Sequence, residues 1–288
     1  MGSRILVIGS SGYLGSQIVQ SLQTAGFTLE DNPSSQLNRS QVLIQENADC
    51  QDVSHTAIFA AGRVEHPRQH DEIARYLADY LGLLENAVRL AASLGFGRFI
   101  MLSTGDVYGK GHQEPIKESA PIRPIGSYAT SRAKGEELAD KLCRMNGLEL
   151  LLCRLFLVVG PNQKSRFVGD ARSDIMKKGY FNLQNPDFVR DFLAVEDFCE
   201  FVSGAVNQKS WQGVRAVNVS TGKGLTLFHV AELIADTLGG RVEVSQQSLT
   251  PPLRPSYLCG NPALAMKVFD WKAVLGIDET LKKALKMK

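Results

Sequence analysis

A chain of 288 residues with 44% hydrophobic content can bury a sizeable core, as one large α/β domain or two intimate lobes. A formal net charge of +2 gives no field that favours nucleic acid or a membrane surface. No apolar run approaches the roughly 20 residues of a membrane span, and the run at residues 5–8 is too short for a signal peptide, so a cytoplasmic protein is expected.

The predicted elements begin with Arg4-Ile5-Leu6-Val7-Ile8, a short apolar run that reads as a strand. Gly9-Ser10-Ser11-Gly12-Tyr13-Leu14-Gly15 follows at once, and Ile18, Val19 and Leu22 then recur at helical spacing until Gly26. Such a unit aims the N–H groups of a helix N-terminus at an anion, most simply a dinucleotide pyrophosphate. Gly9, Ser11, Gly12, Tyr13, Leu14 and Gly15 are therefore candidate cofactor-binding residues. Gly9 takes the tight turn, Gly12 lets the backbone approach phosphate, and Gly15 lets the helix lie against the strand. The spacing is G-x-x-G-x-x-G rather than the commoner G-x-G-x-x-G, and an ordinary glycine-rich strand–helix turn shares it.

Phe27-Thr28-Leu29-Glu30 predicts a second strand. Asp31, followed by Asn32, stands about twenty residues past the turn, where an acidic group accepts from the adenosine ribose hydroxyls and repels a 2′-phosphate, favouring NAD over NADP. Asp-Asn-Pro is equally a turn composition, Glu30 competes for the role, and Arg39 is near enough to reverse the preference. Residues 33–54 are polar, with Val42-Leu43-Ile44 as a short strand. The next strand, from Thr56, ends in Ala60, Ala61 and Gly62, small enough to let a cofactor lie across the strand ends. Residues 71–94 form a long helix with the apolar stripe Ile73, Leu77, Tyr80, Leu81, Leu84, Val88 and Ala91. A strand at 99–103, a helix over 127–145 and one long buried strand over 148–159 follow. The alternation predicts an α/β fold, a doubly wound parallel sheet of Rossmann type.

Ser103-Thr104-Gly105-Asp106-Val107-Tyr108-Gly109 follows a strand, and Tyr128-Ala129-Thr130-Ser131-Arg132 opens a helix. Tyr128 and Arg132, four apart, share a helix face. A cation beside a phenol favours the phenolate, which makes Tyr128 usable as a proton donor or acceptor. Thr104 could hydrogen-bond the same substrate oxygen. On residue type alone, such a Tyr–Arg pair is usually structural. Tyr108, His112 and Tyr180 read as packing or surface residues ahead of pocket residues. His55, His66, His70 and His229 lack metal-ligand spacing, and no metal is assigned. Cys50, Cys143, Cys153, Cys199 and Cys259 read as reduced thiols.

These segments resemble the extended short-chain dehydrogenase/reductases, the nucleotide-sugar epimerase/dehydratase family, over nearly the whole chain. The glycine turn matches its cofactor turn, Thr104 its catalytic hydroxyl position, Tyr128 the Tyr of its Tyr-x-x-x-Lys pair, and Glu136 a Glu further along that helix. Arg154-Leu155-Phe156, Gly160-Pro161, Asn218-Val219-Ser220-Thr221-Gly222 and Arg254-Pro255 resemble later family segments. Arg190-Asp191-Phe192-Leu193-Ala194-Val195-Glu196-Asp197 resembles its Arg-Asp-Phe/Tyr-x-x-Val-x-Asp segment. The resemblance implies hydride transfer between a nicotinamide cofactor, NAD with NADP left open, and C4 of a nucleotide-activated sugar. Thr104, Tyr128 and Arg132 would be catalytic, with Tyr128 and Arg132 also touching cofactor. Asp106, Arg190 and Arg254 would meet substrate, the two arginines on its diphosphate or, alternatively, in ion pairs between lobes. A dinucleotide domain of residues 1–160 and 190–221, a smaller C-terminal substrate lobe of residues 161–189 and 222–288, and a homodimer through the helices at 71–94 and 127–145 are expected by the same analogy.

Three departures qualify it. The family Lys is Arg132 here, with the same charge but a planar fork. The family's sugar 4,6-dehydratases carry Thr-Asp-Glu where this chain has Thr104-Gly105-Asp106, and Gly105 cannot supply the acid, which argues against 4,6-dehydration. Leu157 stands where many relatives carry an Asn on substrate phosphate. A C4 epimerase or a 4-keto-sugar reductase is expected. The short segment 33–54 resembles that of compact reductases, and Asp31 favours an NAD-retaining epimerase. The alternative is a non-catalytic dinucleotide-binding sensor or scaffold, motivated by Arg132 and Leu157.

Overall fold

The computed structural model describes residues 3–29, 40–45, 55–67, 69–163, 166–211, 213–245 and 255–286. Asp31, Asn32 and Arg254, together with Glu30, Arg39 and Cys50, lie outside them. The first apolar run is β1 (Ser3–Ile8), and α1 (Tyr13–Thr24) starts directly after the glycine turn. β2 (Thr28–Leu29), β3 (Ser40–Gln45), β4 (Thr56–Phe59), α2 (His70–Ser93), β5 (Arg98–Thr104), a 3-10 turn at Gly105–Tyr108, α3 (Gly126–Met145) and β6 (Glu149–Leu155) follow. With β10 (Ala216–Val219) they build a seven-stranded sheet in the order β10-β6-β5-β4-β1-β3-β2.

From β10 to β1 every neighbour is parallel. Parallel strands buried on both faces read as continuous apolar runs, and their alternate residues feed two cores. Ile5, Val7, Ile100 and Leu102 join the core shared with α1 and α5 (Val195–Asn207). Leu6, Ile8, Phe99 and Met101 join the core under α2 and α3. The doubly wound α/β fold is thus as expected. One strand is not: β3 runs antiparallel to both β1 and β2 and lies between them. An antiparallel neighbour needs no crossover helix, and the polar residues 30–39, with Pro33, carry no helical apolar pattern. β2 is therefore one strand further from the glycine turn than the ribose-binding role of Asp31 assumed.

The single strand expected over 148–159 is two. The ladder with β5 ends at Thr104 opposite Leu155. Past Phe156 the chain finds a new partner, and β7 (Leu157–Val159) pairs in parallel with β9 (Val189–Ala194). β9 also pairs with β11 (Gly224–Thr226) and β13 (Tyr257–Leu258), forming a small sheet. Arg190 thus sits in the small sheet, while α5 and β10 return to the large one. α4 (Phe167–Lys178), α6 (Leu227–Leu238) and α8 (Ile277–Leu285) enclose a third core around Val168, Phe192, Val230 and Leu281. β8 (Tyr180–Leu183) and β12 (Arg241–Val244) pair beside them. Of the C-terminal segment, α7 (Ala263–Phe269) and Trp271 pack into the large-sheet core, not the lobe.

Two buried carboxylates tie these parts together. Asp191 accepts from Thr221 N and Oγ1 at 2.9 and 2.7 Å, from Gly222 N at 3.0 Å and from Cys259 Sγ at 3.3 Å. Burial pushes its carboxyl up, against those hydrogen bonds. Asp197 Oδ2 accepts from Val274 N and Leu275 N, and its carbonyl accepts from Trp271 Nε1. Both aspartates of the Arg-Asp-Phe segment are thereby structural ties.

Candidate active site

The C-terminal ends of β1, β4 and β5 share one edge of the parallel sheet, where open α/β sheets bind ligands. Gly9 has φ +89°, and a Cβ there would lie 2.8 Å from Ala61 Cα. A Cβ on Gly15 would run into the Gly9 carbonyl oxygen. The turn is closed by Gly12 N donating to Gly9 O at 3.0 Å. α1 has Gly12 as its N-cap, no side-chain cap and no acidic residue in its first turn. The first N–H groups of the helix, around Tyr13 and Leu14, therefore meet no side-chain acceptor among the described residues and suit an anion. Ser11 and Gly12 are exposed, and Ala60 and Ala61 are half-buried beside them. This side-chain-free cradle fits a dinucleotide pyrophosphate. Tyr13 contributes backbone only: its hydroxyl points inward, 2.6 Å from where a Gly160 Cβ would be. Burial, with Glu196 and Cys199 nearby, pushes that phenol up to about 12.

The segment leaving β4 joins the cradle to α3. A Cβ on Gly62 would lie 2.9 Å from Arg132 Nη2, which donates to the Arg63 carbonyl at 3.1 Å. The Tyr76 hydroxyl donates to the same carbonyl at 2.8 Å. Arg132 is 4% exposed, and its Cζ lies 3.8 Å from the Tyr80 ring centroid and 4.8 Å from that of Tyr128. The guanidinium thus lies over the Tyr128 ring. Two π faces accommodate a planar cation. His66, which the sequence marked only as a non-ligand, meets the Tyr128 ring edge-on at 5.7 Å.

Thr104 ends β5. Its Oγ1 donates to Asp106 Oδ2 at 3.0 Å and accepts from Asp106 N at 3.2 Å, so hydroxyl and carboxylate form one unit. A Cβ on Gly105 would meet the Phe156 ring at 2.6 Å, so that ring occupies the place of any side chain at 105.

Behind Thr104 runs a buried network. Ser103 Oγ donates to Glu136 Oε1 at 2.5 Å, and Arg154 donates to both Glu136 oxygens, the shortest contact being 2.7 Å. Burial opposes the Arg154 charge, but its hydrogen bonds and ion pair with Glu136 outweigh burial and raise its pKa. Arg154 Nη1 also donates to the Tyr108 hydroxyl, which donates to Asn218 Oδ1 at 2.7 Å. Tyr108 is fully buried packing. Tyr128, Arg132 and Glu136 are successive i, i+4 positions of α3, so the network anchors the face that carries Tyr128. No local sequence signal pairs Glu136 with Arg154.

Arg190 is placed differently from a free phosphate ligand. Its guanidinium donates to the carbonyls of Val189 at 2.7 Å and Pro255 at 2.8 Å and lies over Phe188. It braces β9 against the approach to β13, with a longer 3.5 Å bond to the Ser256 carbonyl as well, so part of its donor set is engaged within the small sheet.

The model of the NAD dependent epimerase/dehydratase family matches residues 5–220. The chain is 25% identical to a GDP-6-deoxy-D-talose 4-dehydrogenase of Aggregatibacter actinomycetemcomitans, over 85% of this chain and 84% of the relative. It is 28% identical to a GDP-6-deoxy-D-mannose reductase of Pseudomonas aeruginosa, over 99% and 97%. Among solved structures, RMD from Pseudomonas aeruginosa complexed with NADPH superposes with a TM-score of 0.80 at 24% identity, over 98% of this chain and 97% of the other. The NAD-dependent NDP-hexosamine 5,6-dehydratase TunA gives 0.79 at 19%, over 98% and 96%. Epimerases, reductases and dehydratases all stand among the similar proteins.

Proposed function

The chain belongs to the NAD dependent epimerase/dehydratase family, and from that premise we propose that it modifies a nucleotide-activated sugar by hydride transfer at C4, as a C4 epimerase or a 4-keto-sugar reductase. One observation supports this reading: no side chain would fit at Gly9 against Ala61 or at Gly62 against Arg132, and the Arg132 guanidinium lies over the Tyr128 ring, so close neighbours lead from the glycine cradle to a phenol. When bound, the dinucleotide supplies the hydride acceptor or donor. The turn Ser11–Gly12 and the first N–H groups of α1 hold its pyrophosphate, and Ala60, Ala61 and Gly62 leave room across the strand ends. Tyr128 takes the proton from the C4 hydroxyl, or returns it to the carbonyl oxygen, as hydride leaves or arrives. Thr104 hydrogen-bonds that oxygen, with Asp106 orienting its hydroxyl, and Arg132 supplies the fixed positive charge. Gly105 carries no carboxyl, so 4,6-dehydration is left out of this reading. That reasoning does not extend to a 5,6-dehydration.

Relatedness to the Pseudomonas aeruginosa reductase along almost the whole of both chains supports the reductase version. An epimerase would emerge from purification with tightly held NAD. Cofactor-free protein that oxidises NADPH with a 4-keto sugar nucleotide would be a reductase. A sensor would be indifferent to Tyr128→Phe, whereas either enzyme loses turnover and keeps cofactor affinity. The pairing of α2 and α3 in a homodimer belongs to the same reading and is checked by sedimentation.

A further inference from the structure

The Arg132 guanidinium occupies a slot walled by α2, α3 and the segment after β4, with Nη1 also reaching Ser131 Oγ at 3.5 Å. The Tyr80 ring of α2 lies against one face, 3.8 Å from Cζ, with Tyr128 at 4.8 Å. Missing side chains open the slot: a Cβ on Gly62 would come within 2.9 Å of both Arg132 Nη2 and Tyr80 Cε2, and one on Gly135 within 2.7 Å of Tyr80 Cε1. The Arg63 carbonyl, held by Tyr76, closes the edge. The Tyr80 hydroxyl is buried with no hydrogen-bond partner among the described residues. An unpaired buried hydroxyl is unfavourable, so the ring and not the hydroxyl makes the favourable contacts of Tyr80.

We propose that Tyr80 is a positioning residue of the active site: its ring, seated between Gly62 and Gly135, holds the Arg132 guanidinium flat beside Tyr128 at the cofactor end of β4. Position 132 then works as a stacked plane rather than as a point charge, and lysine is no substitute, because an ammonium has no plane to lay on the rings. This rests on the roles given to Tyr128 and Arg132 above.

Binding of NADH and NADPH, read by nicotinamide fluorescence, tests it without substrate. Tyr80→Leu should weaken binding by about tenfold, the scale of a desolvated cation–π contact, and Tyr80→Phe should recover it. In an Arg132→Ala background, Tyr80→Leu should add nothing, since the ring has no cation left to hold. Additive losses in that cycle, or wild-type affinity in Tyr80→Leu, overturn the proposal. If Tyr80→Leu does not fold, Arg132→Lys decides: weaker binding supports the proposal and unchanged affinity overturns it. A wild-type protein that binds neither dinucleotide overturns the proposal together with the reading beneath it. Absence of turnover on every nucleotide sugar, with the binding cycle as expected, would remove the proposed function and leave Tyr80 in its role.

Discussion

Two arginines lie against α3, both almost wholly buried, and they are held in opposite ways. Arg154, 7% exposed, is neutralised by the Glu136 carboxylate and ties β6 to the middle of the helix. Arg132, one turn before Glu136, is 4% exposed and has no carboxylate partner among the described residues; aromatic faces and a backbone carbonyl receive it instead. A cation paired with a carboxylate presents little field to its surroundings, whereas one seated on π faces keeps its positive charge toward whatever enters the groove. The same helix face thus carries a structural charge at its centre and a chemical one at its open end.

Substitutions on either side would break or sharpen that contrast. The largest effect is expected at Tyr128→Phe, which should lower kcat by roughly 10²–10⁴ while cofactor affinity and thermal stability hold, as steady-state kinetics and calorimetry would read. Next is Glu136→Gln, which leaves Arg154 buried without its anion and should cost about 3–5 kcal/mol in denaturant unfolding. Arg132→Met should cost far less stability, within about 1.5 kcal/mol, because no buried partner is orphaned, yet it should lower kcat by about tenfold or more, short of the loss at Tyr128→Phe. Equal destabilisation at positions 132 and 154 would erase the distinction. Tyr108→Phe removes the hydroxyl between Arg154 and Asn218 and should cost about 1–2 kcal/mol.

The smallest effect is an alkaline one. Burial raises the Tyr13 and Tyr108 phenols to about 12, with Arg154 lowering the latter in part. The folded state then keeps protons that the unfolded state releases above about pH 10, so stability present below pH 10 falls as pH rises toward 12. Tyr13→Phe should flatten that decline in pH-dependent unfolding.

Much of the site was legible because its signals are local. A strand, three spaced glycines and a helix follow from backbone freedom and periodicity within about fifteen residues. Tyr128 and Arg132 share a face because they are one helical turn apart. The direction of β3, by contrast, was illegible: a short apolar run has the same appearance parallel or antiparallel, and its position separates β2 from β1. The break at Phe156 was hidden for the same reason, since residues 148–159 are apolar apart from Glu149 and Arg154, and only the loss of β5 as a partner ends β6. Arg190 carries the chemistry of a phosphate ligand, but the Pro255 and Val189 carbonyls receive part of its donor set.

The sequence by itself determined the alternation of strands and helices as far as α3, the glycine cradle and the Tyr128–Arg132 face, because torsional preference and side-chain period act between near neighbours. Only the tertiary structure decided that Arg154 is matched by Glu136 and Arg132 by the rings of Tyr80 and Tyr128. Those partners come from distant elements and meet through packing, which sets where a buried charge finds its counterpart.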